Sequence, residues 1–373
     1  MIEPFDRSSE SPLWTRTFLC STQTLYNRTS SPYLRAKKQS EIMLDALFSL
    51  SFLSLFLVPF MSSYSTSLNF LFFWMTWSTL IFSHSALKVE MIGTIVVRLL
   101  CFGVPSTLMY LFDVMAPSVA VIIKSQGEAG LPGGKRRRNL KLKHFQIVGW
   151  SLLNLFLGLF VQALIEILLV KVLRWRSALK ISSRLPMPGS IIKHLLCGIV
   201  LRGILSYVAH RYALHHPRSP MIASLHKSWH HSLRGIYPLT ACYDHPLPYL
   251  VGKFFPMYLP AVLLRFHLLT YLLYLAIISL EETFAYCGYT VMPMSFFLGG
   301  VARRTELHLE SGGHGNFGPW GLLDLIFGSN IPDGDDDDND ERERMFQGRV
   351  SEAIERSNRG IREGTLRRNT RKT

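Results

Sequence analysis

Residues 210–231 read HRYALHHPRSPMIASLHKSWHH, and six of the chain's thirteen histidines fall there: His210, His215, His216, His226, His230 and His231. An even spread would place about one. Imidazole is the side chain most often used to bind transition metals, and many imidazoles without cysteine suit iron or zinc. Several paired histidines fit two ions better than one. The plain alternative is a basic stretch whose histidines touch lipid headgroups, and six at this spacing favour the metal.

The spacing can be tested against helix geometry. His226 and His230 are four apart, so a helix puts both on one face and lets them grip one ion. His231 is turned about 100° away and is free to serve a second ion. His210 and His215 are five apart, which a regular helix places poorly and a π-turn realigns. Pro217 lacks the amide donor and is expected to end that helix.

These side chains need elements to hold them. The 373 residues are 48% hydrophobic and 18% charged, with a mean hydropathy of +0.20. That composition implies membrane spans. Apolar runs occupy residues 42–61, 68–82, 95–123, 145–172, 191–208 and 254–280. The run at 95–123 contains Pro105 and Pro117, which suggests kinks. Arg98 is expected near the headgroups and Asp113 at a break in the helix. The run at 254–280 fits one tilted helix or a re-entrant hairpin. The fold class expected is therefore all-α, a multi-pass helical membrane protein with a histidine-rich dimetal site.

The net charge of +14 sits beside these runs rather than among interleaved aromatics. This points to anionic lipid and excludes nucleic acid as a partner. The five scattered cysteines imply neither a disulfide framework nor a zinc–thiolate site. The chain divides into a flexible arm (1–41), transmembrane helices with basic loops (42–189), a histidine-bearing domain (190–330) and a charged tail (331–373), whose composition implies disorder. A tail starting after Ser329 is expected to be dispensable.

At residues 190–330 the sequence resembles the fatty acid hydroxylase/sterol desaturase superfamily, more closely its fungal members. HRYALHH gives HX4H from His210 to His215, and HKSWHH gives HX3HH from His226 to His231. Tyr243-Asp244-His245-Pro246-Leu247, Asn316-Phe317-Gly318 and the segment Leu323–Ser329 resemble further family stretches. Tyr286 stands where the family carries a ligand histidine, and its last histidine cluster is reduced here to His308 and His314. The resemblance implies a metal set of His210, His215, His226, His230, His231, His308 and His314. It implies two iron ions, with zinc an option in purified protein, and O2 as cosubstrate. Asp244, Glu281 and Glu282 are candidate acceptors for the second ring nitrogens. His245 is read as supporting rather than ligating, and His267 as a core histidine.

The function implied is hydroxylation or desaturation of a membrane lipid such as a fatty acyl chain or sterol. Electrons would come from a cytochrome b5-type donor and its reductase, at the endoplasmic reticulum membrane, with the metals facing the cytosol. The competing readings are a family member that has lost catalysis and keeps a structural or partial metal site, and an unrelated channel or transporter.

Overall fold

The computed structural model describes residues 63–132, 142–217, 219–233, 235–289 and 300–332, with residues 348, 351 and 355 besides. The expected arm at 1–41, the first apolar run at 42–61 and most of the tail at 331–373 lie outside the described residues.

Within them the chain is helical. Helix α1 is Ser63–Ser83. Helix α2, Ala86–Arg98, passes through a π-turn at Leu99–Gly103 into α3, Val104–Met115. A short α4 follows, Pro117–Ile123. Helix α5, Leu142–Ile167, ends in a π-turn at Leu168–Val172, and α6, Pro188–Ala209, ends in another at His210–Leu214. Then come α7, Pro220–Trp229, α8, Pro246–Tyr249, α9, Phe255–Leu263, α10, Leu268–Ala285, α11, Gly300–Glu310, and α12, Leu322–Ile326.

Four stretches among the described residues are long and apolar enough to cross a bilayer: Ala86–Met115, His144–Val172, Pro188–Leu214 and Leu268–Ala285. About 20 apolar residues span the hydrocarbon layer. Their outer faces expose Phe156, Phe160, Leu196 and Val200, side chains that lipid rather than water would solvate. The protein is thus an all-α, multi-pass membrane protein.

Two apolar runs divide differently from expectation. The run at 95–123 is two helices, because Ala116 leaves helical geometry and Pro117 starts α4 at the position where its missing donor costs nothing. The run at 254–280 breaks at Leu264–His267, where Arg265 takes a left-handed φ of 49° and His267 caps α10 by accepting from the Leu269 amide at 3.2 Å.

Helix α10 is the most enclosed of the spans and carries Tyr271, Tyr274, Leu275 and Ile278 into the core. It also carries Glu281 and Glu282. Arg98 reaches across to Glu282 at 2.6 Å, while Arg202 of α6 meets Glu281 at 2.8 Å. Asp113 likewise pairs with buried Lys124 at 2.8 Å and accepts from Tyr289 at 2.8 Å rather than capping a break. Ionised groups at membrane depth persist only when neutralised by a partner, and all three acids are.

Candidate metal centre

Helix α6 delivers the first two histidines. The expected π-turn is present: the His215 amide donates to the His210 carbonyl at 3.1 Å, five residues back. The extra residue in the turn rotates His210 and His215 to the same side, with rings 5.0 Å apart. The chain turns at Pro217 and restarts as α7 at Pro220. That brings the His226 ring to 5.3 Å from His210 and 5.0 Å from His215. His308 comes from α11, nearly a hundred residues on, and its ring lies 4.5 Å from His210. Ring nitrogens of His210, His215, His226 and His308 all lie within 4.8 Å of one another.

Each ring is oriented from behind. His210 Nδ1 donates to the Phe317 carbonyl at 3.0 Å and His308 Nδ1 to the Gly315 carbonyl at 2.7 Å. His226 Nδ1 donates to Asp244 Oδ2 at 2.6 Å, and Asp244 Oδ1 accepts the His245 amide at 2.7 Å. With Nδ1 carrying the proton, Nε2 carries the lone pair. Those Nε2 atoms of His210, His226 and His308 are buried and have no hydrogen-bond partner. Buried polar atoms are rarely left so, and three lone pairs converging on one point fit a cation. Of the three expected acceptors only Asp244 serves, since Glu281 and Glu282 are engaged by arginines.

Burial keeps the rings in the ligating, neutral form. It lowers His215 to about 3 and both His231 and His308 to about 4, with neighbouring imidazoles pushing the same way on His215 and His231. His226 and His230 are also driven well down by burial. A neutral imidazole needs no proton displaced before it binds metal.

The remaining expected ligands stand differently. His231 lies beside the group, its Nε2 3.3 Å from His215 Nε2 and its ring 4.9 Å from His308. His230 stacks on His226 at 4.9 Å, but its Nδ1 donates to the Tyr243 carbonyl at 3.1 Å and its Nε2 faces the Tyr286 hydroxyl at 3.4 Å. His314 is exposed and its Nδ1 turns to the Ser311 carbonyl. His245 caps α8, accepting from the Leu247 amide at 3.3 Å, and His267 reaches the Ser182 carbonyl at 3.2 Å, so both are structural.

The loop after α11 closes the centre. Asp324 accepts from the Phe317 and Gly318 amides, both at 2.8 Å, and from Ser329 Oγ at 2.8 Å, and pairs with Arg304 at 2.7 Å. This fixes the carbonyls that orient His210 and His308. Asn316 sits at a φ of 55°, which asparagine tolerates, and its Oδ1 accepts the Ile331 amide at 3.0 Å. Ile331 is thus bonded to the loop that carries Asn316, two residues past the expected start of the tail. Gly313 was not visible as a site residue in the sequence: at φ 89° its backbone lies against the His215 and His231 rings. Its only signal was its place next to His314.

A cavity of about 140 Å³ opens on the histidines, with Arg202, Glu281, Lys253 and Tyr286 on its far wall.

The sequence profile described as fatty acid hydroxylase matches residues 195–329, the stretch that holds His210, His215, His226 and His308. In that stretch the chain is similar to fatty acid hydroxylases. It is 26% identical to fatty acid hydroxylase ahd1 of Mycosarcoma maydis over 156 residues, 42% of this chain. The match spans 38% of that relative's length, well under half. No solved structure matches the chain significantly. The matched stretch begins inside the span α6 and ends at Ser329, whose hydroxyl Asp324 accepts.

Proposed function

We propose that the protein hydroxylates a membrane lipid at a histidine-held iron, using O2 and electrons from a separate donor. The observation that carries this reading is the convergence of imidazole lone pairs at the end of a membrane span, beside a cavity. His210, His215, His226 and His308 would hold the metal. When bound, iron supplies the O2 activation that no side chain offers. The overall change converts RH, O2, two electrons and two protons to ROH and water.

The chain's own residues do the rest. The carbonyls of Phe317 and Gly315 and the carboxylate of Asp244 hold three rings in one tautomer. Apolar walls exclude water from the reacting carbon. The cavity of about 140 Å³ is smaller than a site for a whole ligand, so it takes part of a lipid while the remainder stays in the bilayer. We assign the substrate to lipids with a long apolar body, fatty acyl or sterol. The chain carries no dinucleotide fingerprint, which assigns electron supply to a cytochrome b5-type partner with its reductase. We place the protein in the endoplasmic reticulum membrane with the centre on the cytosolic side, where such donors work.

The test is expression in a host supplied with isotopically labelled O2, followed by mass spectrometry of total lipids. One labelled oxygen should appear in a lipid class with wild-type protein and disappear with His226→Ala. Iron-loaded protein that adds no labelled oxygen when donor and reductase are present would refute the reading.

A further inference from the structure

Lys253 reaches the centre from the π-turn after α8, and nothing in the reaction above uses it. It is half-buried, donates to the Ala241 carbonyl and to the Tyr286 hydroxyl at 3.2 Å, and lies over the Tyr286 ring at 4.5 Å. Its partners keep it charged, since they raise its affinity for the proton above the ordinary lysine value.

The hydrogen bonds from Lys253 form a complete chain. Lys253 donates to the Tyr286 oxygen, Tyr286 O–H donates to His230 Nε2 at 3.4 Å, and His230 Nδ1–H donates to the Tyr243 carbonyl at 3.1 Å. The Tyr286 hydroxyl and both nitrogens of His230 are all engaged. The contrast with His210, His226 and His308 is sharp, because each of those keeps a buried Nε2 with no partner at all. One half of the histidine cluster lacks a cation, and the other half already has one in the form of an ammonium group.

The nitrogens left for a second ion are few. His231 offers Nδ1, which is buried and unpartnered. His314 is exposed and turned to the Ser311 carbonyl. No further histidine, cysteine or acid among the described residues joins them: Glu282 is held by Arg98 and Glu281 by Arg202. A second divalent ion would have to displace the Tyr286 hydroxyl from His230 and sit beside the Lys253 ammonium.

Resting on the reading that the cage holds metal, we infer that this chain takes one metal ion, on His210, His215, His226 and His308, and that Lys253, Tyr286 and His230 occupy the place of a second. The centre is mononuclear. The two electrons of the proposed reaction then arrive singly from the external donor rather than from a metal pair.

The experiment uses the full chain purified in detergent and reconstituted with Co(II). Metal analysis should give one ion per chain, and the electron paramagnetic resonance signal should be that of an isolated high-spin ion. His226→Gln should lower the content to near zero. Tyr286→Phe and His230→Gln should each keep one ion, with helical content by circular dichroism confirming the fold. Two ions per chain, a spin-coupled pair, no bound ion, or loss of the ion in folded Tyr286→Phe or His230→Gln protein would each overturn the inference. Two ions together with labelled lipid product would overturn it and leave the proposed function standing. One ion without product would do the reverse.

Discussion

Replacing Gly313 with alanine places a methyl group 2.2 Å from Cε1 and 2.7 Å from Nδ1 of His215, with Cε1 of His231 at 3.0 Å. Carbon atoms in contact stand about 3.5 Å apart or more, so the His215 ring must retreat by roughly 1.3 Å. Metal–nitrogen bonds tolerate about 0.2 Å, and the ring therefore leaves any ion it holds. Disturbing a group that merely supports a ligand costs about 10–100-fold in affinity, and losing the ligand itself should cost at least the upper end, about 2.7 kcal/mol. The left-handed backbone at Gly313, φ 89°, adds a separate folding cost of about 1–2 kcal/mol. Gly312 provides the control. Its φ is 68°, so alanine there meets a similar backbone cost, yet its methyl would find only His314 at 3.9 Å. Both variants should lose similar thermal stability when metal-free, measured by circular dichroism in detergent. Only Gly313→Ala should lose the ion in a competitive metal titration. Equal metal affinity in the two variants would show that His215 is not held at the centre in the way described.

Other outcomes follow from neighbouring contacts. Asp244→Asn leaves one acceptor oxygen where His226 and the His245 amide use two, so metal affinity should fall about 10-fold or more by the same titration. Burial lowers His215, His231 and His308 from 6.5 toward 3 and 4. The unfolded chain therefore binds protons first as pH falls, and stability of the metal-free protein should be full above pH 6.5 and decline from there toward pH 4 and below. A denaturation series at fixed temperature tests this, and a flat profile across that window would contradict it. Glu282→Ala strands buried Arg98 and should destabilise by about 3–5 kcal/mol, whereas Arg98→Met with Glu282→Leu should cost much less. Ending the chain after Pro332 should preserve metal retention, while ending it at Ser329 should lower it by removing the Ile331–Asn316 bonds.

The histidine cluster was legible because its spacing obeys helix geometry. The spacing of five from His210 to His215 implies a π-turn, and the structure has one. The spans were legible from length and hydropathy. Pairings between distant helices were not. Nothing local to Arg98 marks Glu282 as its partner, and a lone charge in an apolar run reads equally well as a headgroup contact. His230 shows the same limit within the site. Its position four after His226 puts both on one face, but α7 ends at Trp229, and a turn away the Tyr286 hydroxyl and the Tyr243 carbonyl take both of its nitrogens. Gly313 was invisible because the atoms that demand a glycine, the His215 and His231 rings, lie about a hundred residues earlier.

The loop pinned by Asp324 and Ile331 sets an order of assembly. Four of the groups that grip or steer the ion arrive only with it or just ahead of it: His308, the carbonyls of Gly315 and Phe317, and the Gly313 backbone. During synthesis every membrane-crossing helix described here is made before these groups exist. His210, His215 and His226 must wait as bare imidazoles at the bilayer surface while insertion finishes. Any ion held by all four imidazoles would therefore gain its last ligand only after the final described span has been made.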